Sequence, residues 1–209
     1  MVSHVTPSAW PEALEVGTAG MPLAGEERSG DLAVLAPYEG GALVAAVDGL
    51  GHGDAAADAA AAAGAVLEAH AGDDPQRLFH RCHSALRGTR GVVMTLVWFE
   101  LGAEPRLRWV GVGNVEARLL RAVTGRGARH PGPLVLGGVI GHQLPRAIRA
   151  ATLELTPGDT VALATDGIAA DFSVGLDPRL HAQPQAELIL REHAKGSDDA
   201  LAVVVRWLG

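Results

Sequence analysis

The feature that most restricts the fold of this chain is the order of its apolar segments. Short runs of strand length, mostly separated by turns containing Gly or Pro, are interrupted once by two consecutive helical patterns. A parallel sheet needs a crossover, usually a helix, between successive strands, whereas strands joined directly by short turns pair antiparallel. The order therefore predicts an α+β domain in which antiparallel sheets carry helices on their outer faces.

The individual segments are assigned from hydrophobic period and turn residues. We predict helices at residues 54–70, with Asp54 as the N-cap, at 75–86 and at 185–193. Strands are predicted at residues 14–20, 31–36, 42–47, 91–100, 106–111, 115–122, 147–155, 160–165 and 201–207. The sequence has no internal repeat and no linker long enough to separate two domains, so residues 1–209 are expected to form one domain.

Composition and charge argue against several classes of protein. The net charge of −7 disfavours a nucleic-acid partner, which requires clustered Lys and Arg, and the arginines scattered between residues 118 and 129 form no such cluster. The only cysteine, Cys82, permits neither an intramolecular disulfide nor a Cys-based zinc site. Residues 1–11 lack the pattern of a secretory signal, and no apolar run approaches the ~20 residues of a membrane span. We therefore expect a soluble cytoplasmic protein with no nucleic-acid or membrane partner.

Aspartates lie at the ends of the predicted strands. Asp31 opens one strand of the first hairpin and Asp48 closes the other, and these two positions fall at the same end of an antiparallel pair. Asp166 closes a later strand, while Asp198 and Asp199 precede the last one. If those two strands also pair antiparallel, four or five carboxylates converge on one edge of the sheets.

Carboxylates gathered in one place repel each other, and a bound divalent cation removes the conflict. A set of oxygen donors suits Mg²⁺, Mn²⁺ or Ca²⁺ rather than zinc, and a pair of such ions can support in-line phosphoryl transfer. Each aspartate taken alone is more typical of a turn or of an exposed strand cap than of a metal ligand. Two Asp-Gly pairs that both close apolar strands favour the metal site.

The glycine-rich segment after Asp48 matches none of the common ligand loops. A dinucleotide fingerprint requires glycine where Asp54 stands, a P-loop requires Gly-Lys-Ser/Thr, and an EF-hand requires oxygen ligands where Leu50 and His52 stand. Glycine does let the backbone approach an ion closely. We predict that the Gly49 carbonyl coordinates a metal beside Asp48.

Taken together, these segments resemble the PPM family of metal-dependent protein phosphatases (type 2C), and more narrowly its SpoIIE/RsbX branch. The motifs that carry the resemblance are, in the family's order, Ser29-Gly30-Asp31, Val47-Asp48-Gly49-Leu50-Gly51-His52-Gly53, Ala164-Thr165-Asp166-Gly167-Ile168 and Ser197-Asp198-Asp199-Ala200-Leu201. They are specific in combination, and the similarity extends from about residue 15 to residue 207. The resemblance implies an antiparallel β-sandwich flanked by helices, in agreement with the segment order.

The resemblance also implies a site with two divalent ions, Mn²⁺ or Mg²⁺. Asp48 would be shared between both ions, and the Gly49 carbonyl would complete one site. Asp166 and Asp198 would ligate the other ion. Asp31 would act indirectly, through water rather than by direct ligation.

Four further positions carry roles or alternatives that the resemblance raises. Asp199 stands where many relatives have Asn and is a further candidate ligand. Arg28 lies near the place where many relatives use an arginine to hold the substrate phosphate, and it also fits a solvated surface arginine. His52 is either a general acid for the leaving oxygen or a loop histidine without that role. Asn114 replaces an aspartate common at a family turn and is expected to be structural.

The function implied by the resemblance is hydrolysis of phosphoserine or phosphothreonine on a regulatory protein. Within the branch, that substrate would be a stressosome-type scaffold protein, and its dephosphorylation would reset a stress signal. Two alternatives stay open: a catalytically inactive phosphatase fold that serves as a protein-binding module, and a hydrolase of a small phosphorylated molecule. Loss of Asp48, Asp166 or Asp198 would favour the first alternative, and all three are present.

Overall fold

The structure is a computed structural model that describes residues 10–122, 131–174, 176–177 and 179–209. Residues 1–9, considered above for a signal sequence, lie outside the described residues, as do Arg126 and Arg129. Within the described part, no helix is long and apolar enough to cross a membrane.

The described residues form ten strands and three helices. The strands are β1 (Leu14–Met21), β2 (Asp31–Tyr38), β3 (Gly41–Gly49), β4 (Val92–Glu100), β5 (Arg106–Val112), β6 (Glu116–Leu120), β7 (Val135–Leu136), β8 (Ala151–Glu154), β9 (Thr160–Ala164) and β10 (Ala200–Trp207). The helices are α1 (Asp54–Ala69), α2 (Pro75–Ala85) and α3 (Ala182–His193).

The strands form two sheets, one in the order β1-β10-β9-β6 and the other in the order β2-β3-β4-β5-β7, with β8 also paired to β5. All of these pairs are antiparallel except β5 with β7. Helices α1 and α2 cover the outer face of the β2–β5 sheet, and α3 covers the outer face of the other. The predicted α+β sandwich with helices on its outer faces is confirmed.

Strand β2 is buried on both faces because it lies in the middle of three packed layers. Leu32 and Val34 belong to the core under the helices, whereas Ala33 and Leu35 belong to the core between the two sheets. A strand buried on both faces has a continuous apolar sequence instead of an alternating one. The uninterrupted apolar runs that mark the first hairpin in the sequence have this cause.

Several boundaries differ from the sequence predictions. Helix α3 starts at Ala182, three residues before the predicted start, and β8 occupies only the second half of the predicted segment 147–155. Strand β7 was not predicted, because two residues that pair in parallel carry no detectable period. Asp54 is the first residue of α1 rather than its N-cap, which is Gly53. The Asp54 carboxylate instead pairs with Arg28.

The close contact between α3 and β1 depends on the absence of a side chain at Gly17. A Cβ at this position would lie 2.3 Å from both the Cα and the backbone nitrogen of Gln183. We expect Gly17→Ala to lower the free energy of unfolding by about 1–3 kcal/mol, because both partners are backbone and neither can move alone. Urea denaturation measures the change. Gly102→Ala is the matched control, since a Cβ there meets nothing within 4 Å. Equal midpoints for both variants would contradict this packing.

Candidate metal centre

The first hairpin places Asp31 and Asp48 directly opposite each other. The two residues are partners in the β2–β3 register, at the end of the hairpin remote from its turn. Asp31 is 5% exposed and Asp48 is half-buried. The register therefore brings two carboxylates to one end of a sheet, as the sequence predicts.

The other sheet brings two more aspartates to the same place. Strands β9 and β10 pair antiparallel, so Asp166, which follows β9, and Asp198, which precedes β10, lie at the same end of the pair. Asp48, Asp166 and Asp198 line one cavity of about 310 Å³. The remaining lining residues are Leu50, Gly51, Val93, Gly113, Asn114 and Val139. The cavity thus lies where the ends of both sheets meet.

A buried hydroxyl links the two sheets beside this cavity. Thr165 Oγ1 donates to Asp31 Oδ2 (2.6 Å) and accepts from the backbone nitrogen of Leu201 (2.9 Å). Thr165 follows β9, Leu201 belongs to β10 and Asp31 begins β2. One side chain therefore sets the position of Asp31 relative to both strands of the other sheet.

Burial and neighbouring carboxylates together disfavour the ionised form of two aspartates at this site. Burial, opposed by the Thr165 hydrogen bond and reinforced by neighbouring carboxylates, raises the pKa of Asp31 to about 7. Burial followed by repulsion from Asp31, Asp166, Asp198 and Asp199 raises the pKa of Asp48 to about 8. Without a compensating cation, these two groups ionise reluctantly at neutral pH.

The donor set and its placement fit a hard divalent cation. Asp48, Asp166 and Asp198 offer only oxygen donors around one cavity, which is the chemistry that Mg²⁺ and Mn²⁺ prefer. Among the described residues, no group of three or more His, Cys, Asp or Glu side chains lies close enough together to hold a metal ion. Like charges separate unless a cation draws them together, so carboxylates that line one cavity at a wider spacing still fit a divalent cation.

The Asp199 carboxylate is directed to backbone amides. Its Oδ1 accepts from the backbone nitrogen of Leu23 (2.8 Å), and its Oδ2 accepts from that of Gly30 (2.8 Å). Asp199 is 3% exposed. The residue therefore holds both ends of the segment 23–30, which leads into Asp31. Direct ligation by Asp199 stays a prediction.

Asp166 is held from two sides. Asn114 Nδ2 donates to Asp166 Oδ2 (2.8 Å), and Lys195 Nζ donates to the Asp166 carbonyl oxygen (2.6 Å). The first contact orients the carboxylate and leaves its other oxygen available. Asn114 was expected to be structural at its turn, and its amide also touches a candidate ligand.

Gly49 stands beside Asp48 at a point where α1 approaches the sheet. A Cβ on Gly49 would lie 2.2 Å from the carbonyl oxygen of Ala56, so glycine alone fits this position. The Gly49 backbone nitrogen donates to the Gly30 carbonyl oxygen (3.0 Å). These contacts fix the backbone next to Asp48, and coordination by the Gly49 carbonyl stays a prediction.

Arg28 and His52 do not line the cavity of the aspartates. Arg28 Nη1 contacts Asp54 Oδ1 (3.2 Å) and Asp58 Oδ1 (2.9 Å) on the first turns of α1. His52 Nδ1 lies 2.6 Å from Glu26 Oε1, and the imidazole is exposed. The structure therefore brings Asp31, the cavity aspartates and Gly49 together, and places both of these side chains on neighbouring surface contacts.

Sequence reasoning missed the contributions of Thr165 and Lys195 to the site. Thr165 carried a usable signal, because it is a polar residue directly after the apolar run at residues 161–164. Lys195 carried none, since its contact with Asp166 depends on how the segment before β10 folds back.

Comparison with known proteins identifies a family. Residues 38–208 match the family model described as Stage II sporulation protein E (SpoIIE). The comparison with curated protein sequences gives no match.

Solved structures share the fold over nearly the whole chain. One, described as "The bacterial stressosome: a modular system that has been adapted to control secondary messenger signaling", has 31% identity and a TM-score of 0.84, and the match covers 93% of this chain and 100% of that one. RsbX in complex with magnesium has 20% identity and a TM-score of 0.80, covering 94% and 96%. A structure of SpoIIE from Bacillus subtilis, with its PP2C phosphatase domain and a fragment of its regulatory domain, has 20% identity and a TM-score of 0.71, covering 93% and 64%.

The contacts of Asp199 generate a test that separates its role from that of its neighbour. In Asp199→Asn, the amide nitrogen cannot accept a hydrogen bond, so either Leu23 or Gly30 loses its partner. We expect amide hydrogen exchange in segment 22–30 to accelerate ~5-fold or more, in line with losing a charge-assisted bond. Asp198→Asn is the control and should leave this segment protected. Unchanged exchange in Asp199→Asn would show that the segment is held by other contacts.

Proposed function

The chain belongs to the SpoIIE family, within the SpoIIE/RsbX branch of the PPM-type phosphatases, and from this membership we propose that it is a metal-dependent protein phosphatase acting on phosphoserine or phosphothreonine. The observation that carries the proposal is the cavity lined by Asp48, Asp166 and Asp198 where the two sheets end. The catalytic region would span about residues 15–207 of a single domain.

Each carboxylate has a part that follows from its position. Asp48 ends a buried strand and would hold two ions, with Asp166 and Asp198 completing the set from the other sheet. When bound, Mn²⁺ or Mg²⁺ supplies a positive charge that stabilises phosphoryl oxygens and lowers the pKa of water. Asp31, which lies opposite Asp48 in the strand register and accepts from Thr165, would orient water and receive a proton. Asn114 would keep Asp166 in its ligating orientation.

The magnesium complex of RsbX supports the choice of a hard cation, since its fold matches 94% of this chain. The number of ions is part of the proposal and rests on the family resemblance, in which Asp48 would be shared between two ions. The pKa values of Asp31 and Asp48 support it further, because carboxylates that ionise reluctantly alone become anionic beside a cation.

We propose a phosphorylated regulatory protein as the substrate, of the kind found in stressosome-type signalling. The support is the similarity to RsbX and to a structure described in connection with the bacterial stressosome. Removing the phosphate would reset the signal that its addition started. A catalytically inactive binding module is less well supported, because Asp48, Asp166 and Asp198 are all retained around one cavity.

Metal dependence is the first consequence of the proposal. We expect hydrolysis of p-nitrophenyl phosphate and of a phosphoserine peptide to require added Mn²⁺ or Mg²⁺ and to stop with a chelator, because a site of oxygen donors exchanges its ions readily. Activity assays before and after chelation, followed by addition of metal, measure this. Full activity after exhaustive chelation would show that the chemistry is located elsewhere.

Asp48→Asn tests the shared ligand. The change preserves shape and removes the charge that both ions would use, so we expect turnover to fall ~10³-fold or more while the protein stays folded. Asp73→Asn is the matched control, because Asp73 pairs with Arg81 on the surface. Steady-state kinetics, with circular dichroism to confirm folding, compare the two. A folded Asp48→Asn protein with near-normal turnover would refute the assignment.

A further inference from the structure

The candidate centre is strongly anionic, and its proposed substrate is an anion. Asp48, Asp166 and Asp198 line the cavity, and Asp31 and Asp199 lie close enough to repel Asp48. Bound ions would offset part of this charge, but a phosphorylated protein approaching the rim still meets carboxylates. A cationic side chain at the rim would lower this barrier and hold the substrate in place.

The two cations nearest to the aspartates in sequence already have anionic or carbonyl partners. Arg28 bridges Asp54 and Asp58 on α1. Lys195 donates to the Asp166 carbonyl oxygen (2.6 Å). Recruiting either side chain to a substrate would first break these contacts.

Arg90 lies at the rim of the cavity, and its side chain makes no contact of this kind within the described part of the chain. Its Nη1 is 2.5 Å from the position that a Cβ on Gly51 would occupy, so the guanidinium lies directly against Gly51. Gly51 lines the cavity together with Asp48 and has a left-handed backbone (φ +83°). Among the described residues, the exposed Arg90 side chain has no ion pair and no hydrogen bond.

The backbone that carries Arg90 is fixed to the cavity wall. Thr89 Oγ1 accepts from the Gly91 nitrogen (3.0 Å), and the Arg90 carbonyl oxygen accepts from His142 Nε2 (2.9 Å). The Leu50 nitrogen donates to the Gly91 carbonyl oxygen (3.1 Å), which joins this turn to the segment after Asp48. A charged side chain on an anchored backbone loses less freedom when it binds a ligand.

We propose that Arg90 binds an oxyanion of the phosphorylated substrate at the rim of the aspartate cavity, on the side formed by Gly51. This inference rests on the proposed phosphatase function and assigns the residue that recognises its substrate. A guanidinium suits the role, because its planar donors can bind two oxygens of a phosphoryl group or carboxylate at once.

The test compares Arg90→Gln with Arg87→Gln in the metal-loaded protein. Arg87 is exposed in the same turn and carries the same charge, but it is not the residue that contacts Gly51. For Arg90→Gln we expect KM to rise ~10-fold or more with kcat within about 3-fold, as for the loss of a charged hydrogen bond to substrate. Arg90→Lys should recover part of the affinity, since it restores charge without the paired donors. Thermal unfolding confirms that all variants fold.

The source of the oxyanion is separated by the choice of substrate. If Arg90 holds the phosphoryl group, Arg90→Gln weakens the binding of p-nitrophenyl phosphate and of every phosphoserine peptide to a similar extent. If Arg90 holds a carboxylate of the substrate, only the binding of peptides with acidic residues beside the phosphoserine is weakened. Both patterns support the proposal. Kinetics of Arg90→Gln that match those of Arg87→Gln on every substrate would overturn it.

A binding measurement distinguishes failure of this inference from failure of the proposed function. Calorimetry with Mn²⁺-loaded protein measures the affinity for inorganic phosphate and for an acidic phosphoserine peptide without requiring turnover. Absence of turnover in the wild-type protein would reject the phosphatase proposal, and the affinities would still decide the role of Arg90. That role is supported if at least one ligand binds more weakly to Arg90→Gln and binds normally to Arg87→Gln. Equal affinities in both variants, or no binding to the wild type, would reject it.

Discussion

The arrangement of the site depends on a hydrogen bond that crosses between the two sheets, from Thr165 Oγ1 to Asp31 Oδ2 (2.6 Å). The same hydroxyl accepts from the Leu201 nitrogen, so the ends of β2, β9 and β10 are fixed relative to each other. Asp48 is placed by its register with Asp31, and Asp166 follows Thr165 directly. Aspartates from separate sheets therefore lie close together because the buried Thr165 side chain joins the ends of their strands.

The carboxylates gathered at these strand ends differ in the contacts that stabilise their negative charge. The Asp199 carboxylate accepts hydrogen bonds from two backbone amides and holds the segment that precedes Asp31. Asp166 is oriented by the amide of Asn114. Among the described residues, Asp48 has no such partner, and burial followed by repulsion from the neighbouring carboxylates raises its pKa to about 8. Divalent cations at this position would relieve this repulsion, and the same positive charge would act on a phosphoryl group.

Much of the fold and the placement of the site aspartates could be predicted from sequence, because both depend on local patterns of apolar and turn residues. The first hairpin and its register follow from two apolar runs and the loop between them, and this alone places Asp31 opposite Asp48. Strand β7 could not be predicted, because a strand of two residues has no detectable period. Likewise, the position of Arg90 against Gly51 depends on tertiary packing between two turns. Local periods identify elements and their ends, whereas contacts between loops require the assembled fold.

The most direct test of the central claim is to locate the ions. Crystals of the protein soaked in Mn²⁺ would be measured near the manganese absorption edge, and an anomalous difference map would be calculated. We expect two peaks in the cavity, both within ligand distance of Asp48, with Asp166 and Asp198 contacting at least one of them. A fully loaded crystal with no anomalous peak beside Asp48, or with peaks only at other surfaces, would contradict it.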